Sequence, residues 1–207
     1  MTVESLSFLA LGDSYTIGEG VDPDLRWPVQ LARRLGEEGL PVEDPILIAQ
    51  TGWTTDELAV AVEASAPRGP FHLVSLLIGV NDQYRGREVR EYRRQFSSLL
   101  GCAVGLADGD PRRVVVLSIP DWGVTPFAEG RDREEIAREI DAFNQENREE
   151  CSMRGVHYLD VTRISREGGA DPSLVAEDGL HPGAAQYGRW VEAVLPTAMG
   201  ILRGADR

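Results

Sequence analysis

The groups in this 207-residue chain that could carry out chemistry are one well-placed serine, three histidines and a few loop carboxylates and amides. Ser14 stands in Gly12-Asp13-Ser14, where the apolar run 6–11 stops and a hydroxyl appears. A serine hydroxyl attacks a carbonyl only when a base takes its proton, an acceptor holds the base, and donors await the developing oxyanion. His72 opens one apolar run and His157 lies within another, whereas His181 stands in a loop between Gly179 and Pro182, which makes it the natural base. Asp178 comes three residues earlier. That spacing lets one turn of irregular chain bring its carboxylate to the ring nitrogen facing away from the serine and fix the tautomer. Gly52, without a Cβ, can offer its backbone N–H close to a substrate, and Asn81 can offer a side-chain amide from the end of the run 71–78.

Each piece alone has a plainer reading. Gly-Asp-Ser is a common turn tripeptide, Asp178 and His181 could simply share a loop hydrogen bond, and Asn81-Asp82 suits a turn. The catalytic reading rests on three loops converging on one crevice. Within it, Asp13 is expected to order the serine turn and Asp82 to aim Asn81. His72 and His157 are expected to be structural, and Arg85 and Arg87 to be solvated. Among aromatics near these turns, Trp53 beside Gly52 and the loop bearing Trp122 and Phe127 are expected to wall an acyl or alcohol pocket. Tyr15 and Tyr84 are divided between core and pocket.

Stepping outward from these residues, five apolar runs supply the scaffold. Residues 6–11, 45–49, 71–78, 113–119 and 156–161 are short and nearly continuous, as in strands buried on both faces of a parallel sheet. Between them apolar residues recur at helical spacing: Trp27, Leu31 and Leu35 in 26–38; Leu58, Val62 and Ala66 up to Pro67; Tyr92, Phe96, Leu99 and Leu100 in 88–107. Ile136, Ile140, Phe143 and Asn147 mark one face of a charged covering helix over 131–154, and Tyr187, Val191, Val194 and Leu195 the inner face of a last helix over 183–202. Thr54 with Glu57 three residues on is a capping box. Residues 15–20, 121–130 and most of 162–182 show no period and are expected to be loops. Alternating strands and helices imply a parallel sheet covered on both faces within one domain, with the turns after the first three strands on one edge. In such sheets ligands bind beyond that edge.

The net charge of −13 repels nucleic-acid phosphates and anionic membrane surfaces, so neither is expected as a partner. No apolar stretch reaches the roughly 18 residues of a membrane span, and no basic segment precedes an apolar one at Met1, from which a cytoplasmic location is expected. Cys102 and Cys151 form no CxxC pair and neither stands beside a histidine in sequence, so a zinc site is not expected and both read as ordinary helical thiols.

Together these residues resemble the GDSL or SGNH hydrolases, a branch of the serine esterases and lipases. Gly12-Asp13-Ser14 with Gly18 resembles the family's first block, Gly52 the second, Gly79-Val80-Asn81-Asp82 the third and Asp178-Gly179-Leu180-His181-Pro182 the last, in that order along the chain. The resemblance implies a three-layer α/β/α sandwich with a five-stranded parallel, flavodoxin-like sheet. It also implies hydrolysis of carboxylic esters with Ser14 as nucleophile, His181 as base and Asp178 as its orienting acid. The backbone amides of Ser14 and Gly52 and the side chain of Asn81 would form the oxyanion hole, and no metal or cofactor is implied. Within the family a carbohydrate O-deacetylase, a thioesterase and a lysophospholipase are alternatives, and a binding module without turnover is a further one. With no large apolar lid in the sequence, small, short-acyl esters are favoured.

Overall fold

The computed structural model describes residues 5–168 and 171–204, so the reading made at Met1 falls outside it. Five strands, β1 (Phe8–Gly12), β2 (Ile46–Ala49), β3 (Leu73–Leu77), β4 (Val114–Leu117) and β5 (His157–Leu159), form one wholly parallel sheet in the order β2-β1-β3-β4-β5. The unbroken apolar runs fit their positions. Every residue of β1, β3 and β4 is buried, whereas β2 and β5 lie at the edges and are partly exposed. Each buried Leu, Val or Phe of the three inner strands contributes roughly 1.5–3 kcal/mol relative to exposure.

Strand order determines where the helices go. The chain moves one way from β1 to β2 and the other way from β2 through β5, and right-handed crossovers then place the connecting helices on opposite faces. On one face α2 (Trp27–Glu37) packs against the last helix, α8 (Ala184–Gly204). The other face carries α3 (Thr55–Ser65), α5 (Val89–Leu106) and α6 (Arg133–Arg154) in a row. Trp27, Leu31, Leu35, Tyr92, Phe96 and Tyr187 are fully or almost fully buried, as their spacing predicts. The reversal of direction lies between β1 and β3, and β1 leads directly into the turn that bears Ser14. Gly12 closes that strand where a Cβ would sit 2.2 Å from Thr16 Oγ1 and 2.6 Å from the Leu77 carbonyl oxygen, so only glycine lets β1 and β3 meet there.

Four expectations are corrected. Ala66 does not continue the inner face of α3; it is the left-handed cap after Ser65, at φ 41°, and is exposed ahead of Pro67. The covering helix begins at Arg133 rather than 131, because the Asp132 side chain accepts from the Glu135 N–H at 2.9 Å and caps it there. Two stretches expected to be irregular contain short helices, α1 (Ser14–Ile17) and α7 (Thr162–Gly168). Neither is long enough to show a period. Side-chain bonds set the start of α7 instead: the Ser118 hydroxyl accepts from the Val161 and Thr162 amides at 2.8 and 2.9 Å, and Thr162 Oγ1 donates to the Ile119 carbonyl at 2.7 Å.

Candidate active site

β1 delivers Ser14 to the carboxyl edge of the sheet as the first residue of α1. Asp13 caps that helix, its Oδ1 accepting from the Tyr15 N–H at 3.0 Å, which is the turn-ordering part expected of it. The carboxyl is completely enclosed, and burial, with a smaller contribution from the Asp82 charge, overrides the Tyr15 hydrogen bond and pushes its pKa up to about 8. Asp13 is therefore mostly a neutral acid at pH 7.

His181 lies on the loop between α7 and α8. That loop is held by a bridge of Val175 with Pro182 and by bonds from the Ala176 N–H to the His181 carbonyl and from the Gly183 N–H to the Leu174 carbonyl, both 2.7 Å. One oxygen of Asp178 accepts the amides of Leu180 and His181 at 2.9 Å each. The other accepts from His181 Nδ1 at 2.6 Å. Asp178 thus shapes the turn and holds the ring with the same carboxylate, leaving Nε2 on the far side. Burial opposes its charge, but the bonds from the ring and the two amides outweigh burial and keep its pKa below the usual carboxylate value. The Tyr15 ring stands edge-on to His181 at 5.7 Å and lines the same cleft.

The third loop pair carries Gly52 and Asn81. Gly52 has φ +86°, a conformation that favours glycine, and open space where a Cβ would project. Asn81 lies in α4 (Val80–Tyr84), the short helix after β3, and its Nδ2 donates to the Trp53 carbonyl at 2.8 Å. This bond uses one amide hydrogen and fixes the orientation of the other. Asp82 is a scaffold, as expected, but it reaches further than its neighbour: its Oδ2 accepts from the N–H and the hydroxyl of Thr55 at the start of α3. Arg85 is not simply solvated, since its Nη2 donates to the Gly52 carbonyl at 2.7 Å, and Arg87 pairs with Asp56 and Asp82.

Ser14, Gly52, Asn81 and His181 line one cleft of about 190 Å³, with Asp178 behind the imidazole. Trp122 and Phe127 also line it, as their loop position suggested. Trp53 does not. Only its carbonyl serves the site, while its half-buried ring packs on the core, because the turn at Gly52 sends the next side chain away from the cleft. Its place is taken by Tyr84, three residues after Asn81 and so on the same face of α4. His72 and His157 lie outside the cleft; His72 Nδ1 accepts from the Ser7 N–H at 3.0 Å and His157 opens the edge strand β5. Cys102 and Cys151 are free thiols on α5 and α6, and burial pushes the Cys151 thiol up to about 12, where it is inert. Among the described residues, no group of three or more His, Cys, Asp or Glu side chains is arranged to hold a metal ion, and no helix is long and apolar enough to cross a membrane.

The model of the GDSL-like lipase/acylhydrolase family matches residues 10–189, a span that begins in β1 before Ser14 and ends in α8 after His181. The chain belongs to that family. As a GDSL-like acylhydrolase it is a carboxylic ester hydrolase. Solved structures of similar fold include TesA, at 23% identity and a TM-score of 0.74, covering 95% of this chain and 99% of that one. Another is the acetylxylan esterase Axe2 of Geobacillus stearothermophilus, at 19% identity and a TM-score of 0.71, covering 96% of each chain. A third is the psychrotrophic esterase EstA of a Pseudoalteromonas species, inhibited by monoethylphosphonate, at 16% identity and a TM-score of 0.65, covering 97% of this GDSL-like hydrolase and 96% of EstA. At such identities the likeness is one of fold. No curated protein sequence matches the chain.

Proposed function

We propose that this acylhydrolase is a one-domain serine esterase of small, short-acyl esters that works through an acyl-enzyme on Ser14. The observation that carries the proposal is the 2.6 Å contact of Asp178 with His181 Nδ1 on an imidazole that shares its cleft with Ser14. With Nδ1 holding its proton toward the carboxylate, Nε2 is the basic nitrogen. Ser14 Oγ attacks the ester carbonyl as its proton passes to Nε2. The Ser14 and Gly52 amides and Asn81 Nδ2 stabilise the oxyanion. Collapse breaks the ester C–O bond, the leaving alkoxide takes the proton from Nε2, and water repeats the sequence on the acyl-enzyme to release the acid and restore Ser14.

The short-acyl preference is supported by the cleft itself. Its volume of about 190 Å³ is below the roughly 300–1,000 Å³ of sites that enclose drug-sized ligands, and Trp122, Tyr84 and Phe127 close one side. The test is hydrolysis of p-nitrophenyl esters from acetyl to palmitoyl by the wild type and Ser14→Ala, with fluorophosphonate labelling alongside. Turnover greatest on the shortest chains, and loss of turnover and label in Ser14→Ala, is expected. A folded wild type that neither turns over an ester nor takes the label contradicts the mechanism.

A further inference from the structure

The cleft wall opposite the catalytic residues is a cluster of three rings. Tyr84 and Trp122 meet edge-on with centroids 5.5 Å apart, Trp122 and Phe127 likewise at 5.9 Å, and Tyr84 and Phe127 lie 6.4 Å apart. One cation serves all of them. The guanidinium carbon of Arg131 is 5.3 Å from the Tyr84 centroid, 5.4 Å from that of Trp122 and 5.5 Å from that of Phe127, and its Nη2 donates to the Tyr84 hydroxyl at 3.1 Å. Near-equal distances place the charge at the junction of the cluster, where it attracts the electron-rich faces together.

The rings are not equally secured without it. Trp122 is 4% exposed, and its Nε1 donates to Gln83 Oε1 at 2.8 Å, with Gln83 held in turn by Glu139 at 2.7 Å. Tyr84 and Phe127 are 48% and 41% exposed at the mouth of the cleft. The backbone of Phe127 is tied to the Gly179 carbonyl at 3.0 Å, but its ring has only apolar and cationic neighbours to hold it. Moreover, Tyr84 ends α4, after β3, whereas Trp122, Phe127 and Arg131 belong to the segment between β4 and α6. Arg131 therefore joins two separate rims of the cleft across its opening.

We infer that Arg131 is a positioning residue for specificity, a clasp that holds Tyr84 and Phe127 closed over the cleft and so restricts the ester arm lying against them. The inference rests on the ester-hydrolase reading of the same cleft. The experiment compares the wild type with Arg131→Ala and Arg131→Lys on two series: p-nitrophenyl acetate, butyrate and octanoate for the acyl arm, and methyl and benzyl acetate for the alcohol arm. In Arg131→Ala the octanoate-to-acetate or the benzyl-to-methyl ratio of kcat/KM is expected to rise about tenfold, the size of a one-methylene change in a fitted pocket, with Arg131→Lys between. Both ratios staying within about twofold of wild type overturns the clasp. Acrylamide quenching in a Trp53→Phe background provides a readout independent of turnover, because Trp27 and Trp190 are fully buried and Trp122 is then the tryptophan whose cover changes. Quenching rises in Arg131→Ala if the clasp exists, and unchanged quenching overturns it. Absent turnover and labelling in the wild type would sink the catalytic reading alone, with quenching still deciding the clasp.

Discussion

The Asp82 carboxylate accepts both the backbone N–H and the hydroxyl of Thr55, each at 3.0 Å. This pair locks the start of α3 to α4, and therefore the turn bearing Gly52 to the helix bearing Asn81. Asp82→Ala leaves two buried donors of Thr55 without an acceptor, at a cost of about 1–3 kcal/mol by urea unfolding. It also lets the two proposed oxyanion donors drift apart, so kcat is expected to fall by about tenfold or more. Thr55→Val keeps one of the two bonds and should lie between. An Asp82→Ala enzyme with wild-type kcat removes the link between this bond and the oxyanion site.

Asp178 yields a pH prediction with a definite sign. Its pKa in the folded chain is lowered, so its contribution to stability is present above the unfolded carboxylate value of about 3.9 and is lost as pH falls through the folded value. Asp178→Asn should thus be less stable than wild type at neutral pH, with the gap closing below about pH 4. Its carboxamide also fails to hold the Nδ1 proton, and kcat should drop about 100-fold or more.

Asp13 behaves in the opposite sense. Its folded pKa of about 8 lies above the unfolded value, so between about pH 4 and 8 the folded chain holds a proton that the unfolded chain has released. Stability from this group is full at low pH and declines as pH rises through that window, by about 1.4 kcal/mol per unit for a single proton. Asp13→Asn keeps an oxygen for the Tyr15 amide and has no proton to lose. Urea unfolding at pH 5 and pH 8 should show a smaller loss in the variant than in the wild type.

Arg85 bonds to the Gly52 carbonyl at 2.7 Å and so fixes the peptide that follows the proposed oxyanion donor. Arg85→Ala should lower kcat about three- to tenfold at little change in KM, since the substrate's ground state does not need the oxyanion donors in register. Arg85→Lys, which can reach the same carbonyl with a single donor, should recover part of the loss. An equal change in KM would assign Arg85 to substrate binding instead.

The scaffold was legible because burial on two faces requires uninterrupted apolar runs, and all five such runs became strands. The gathering of Ser14, Gly52 and Asn81 was legible for a related reason: the turns at the carboxyl ends of parallel strands lie on one edge. What stayed hidden depends on contacts between distant residues. The sequence favours Trp53, next to Gly52, over Tyr84, three residues after Asn81, and only the backbone turn at Gly52 decides that Tyr84 enters the cleft and Trp53 leaves it. Arg85 reads as a solvated charge and Arg131 as the start of a charged helix, yet one braces a peptide carbonyl and the other gathers three rings. Neither partner set is marked by any spacing. The start of α7 likewise follows from Ser118, more than forty residues upstream.

The packing of α2 on α8 has a consequence for the chain during its synthesis. Gln30 donates to the Ala184 carbonyl at 3.2 Å and Arg34 pairs with Glu192, so the helix following Ser14 finds its main partner in the helix following His181. A chain leaving the ribosome exposes Ser14, the proposed nucleophile, early but lacks both His181, the proposed base, and the helix that covers α2 until residues through α8 have emerged. On the proposed mechanism, nascent and truncated chains are chemically silent, and the hydrolase becomes competent in the same event that buries its last helix.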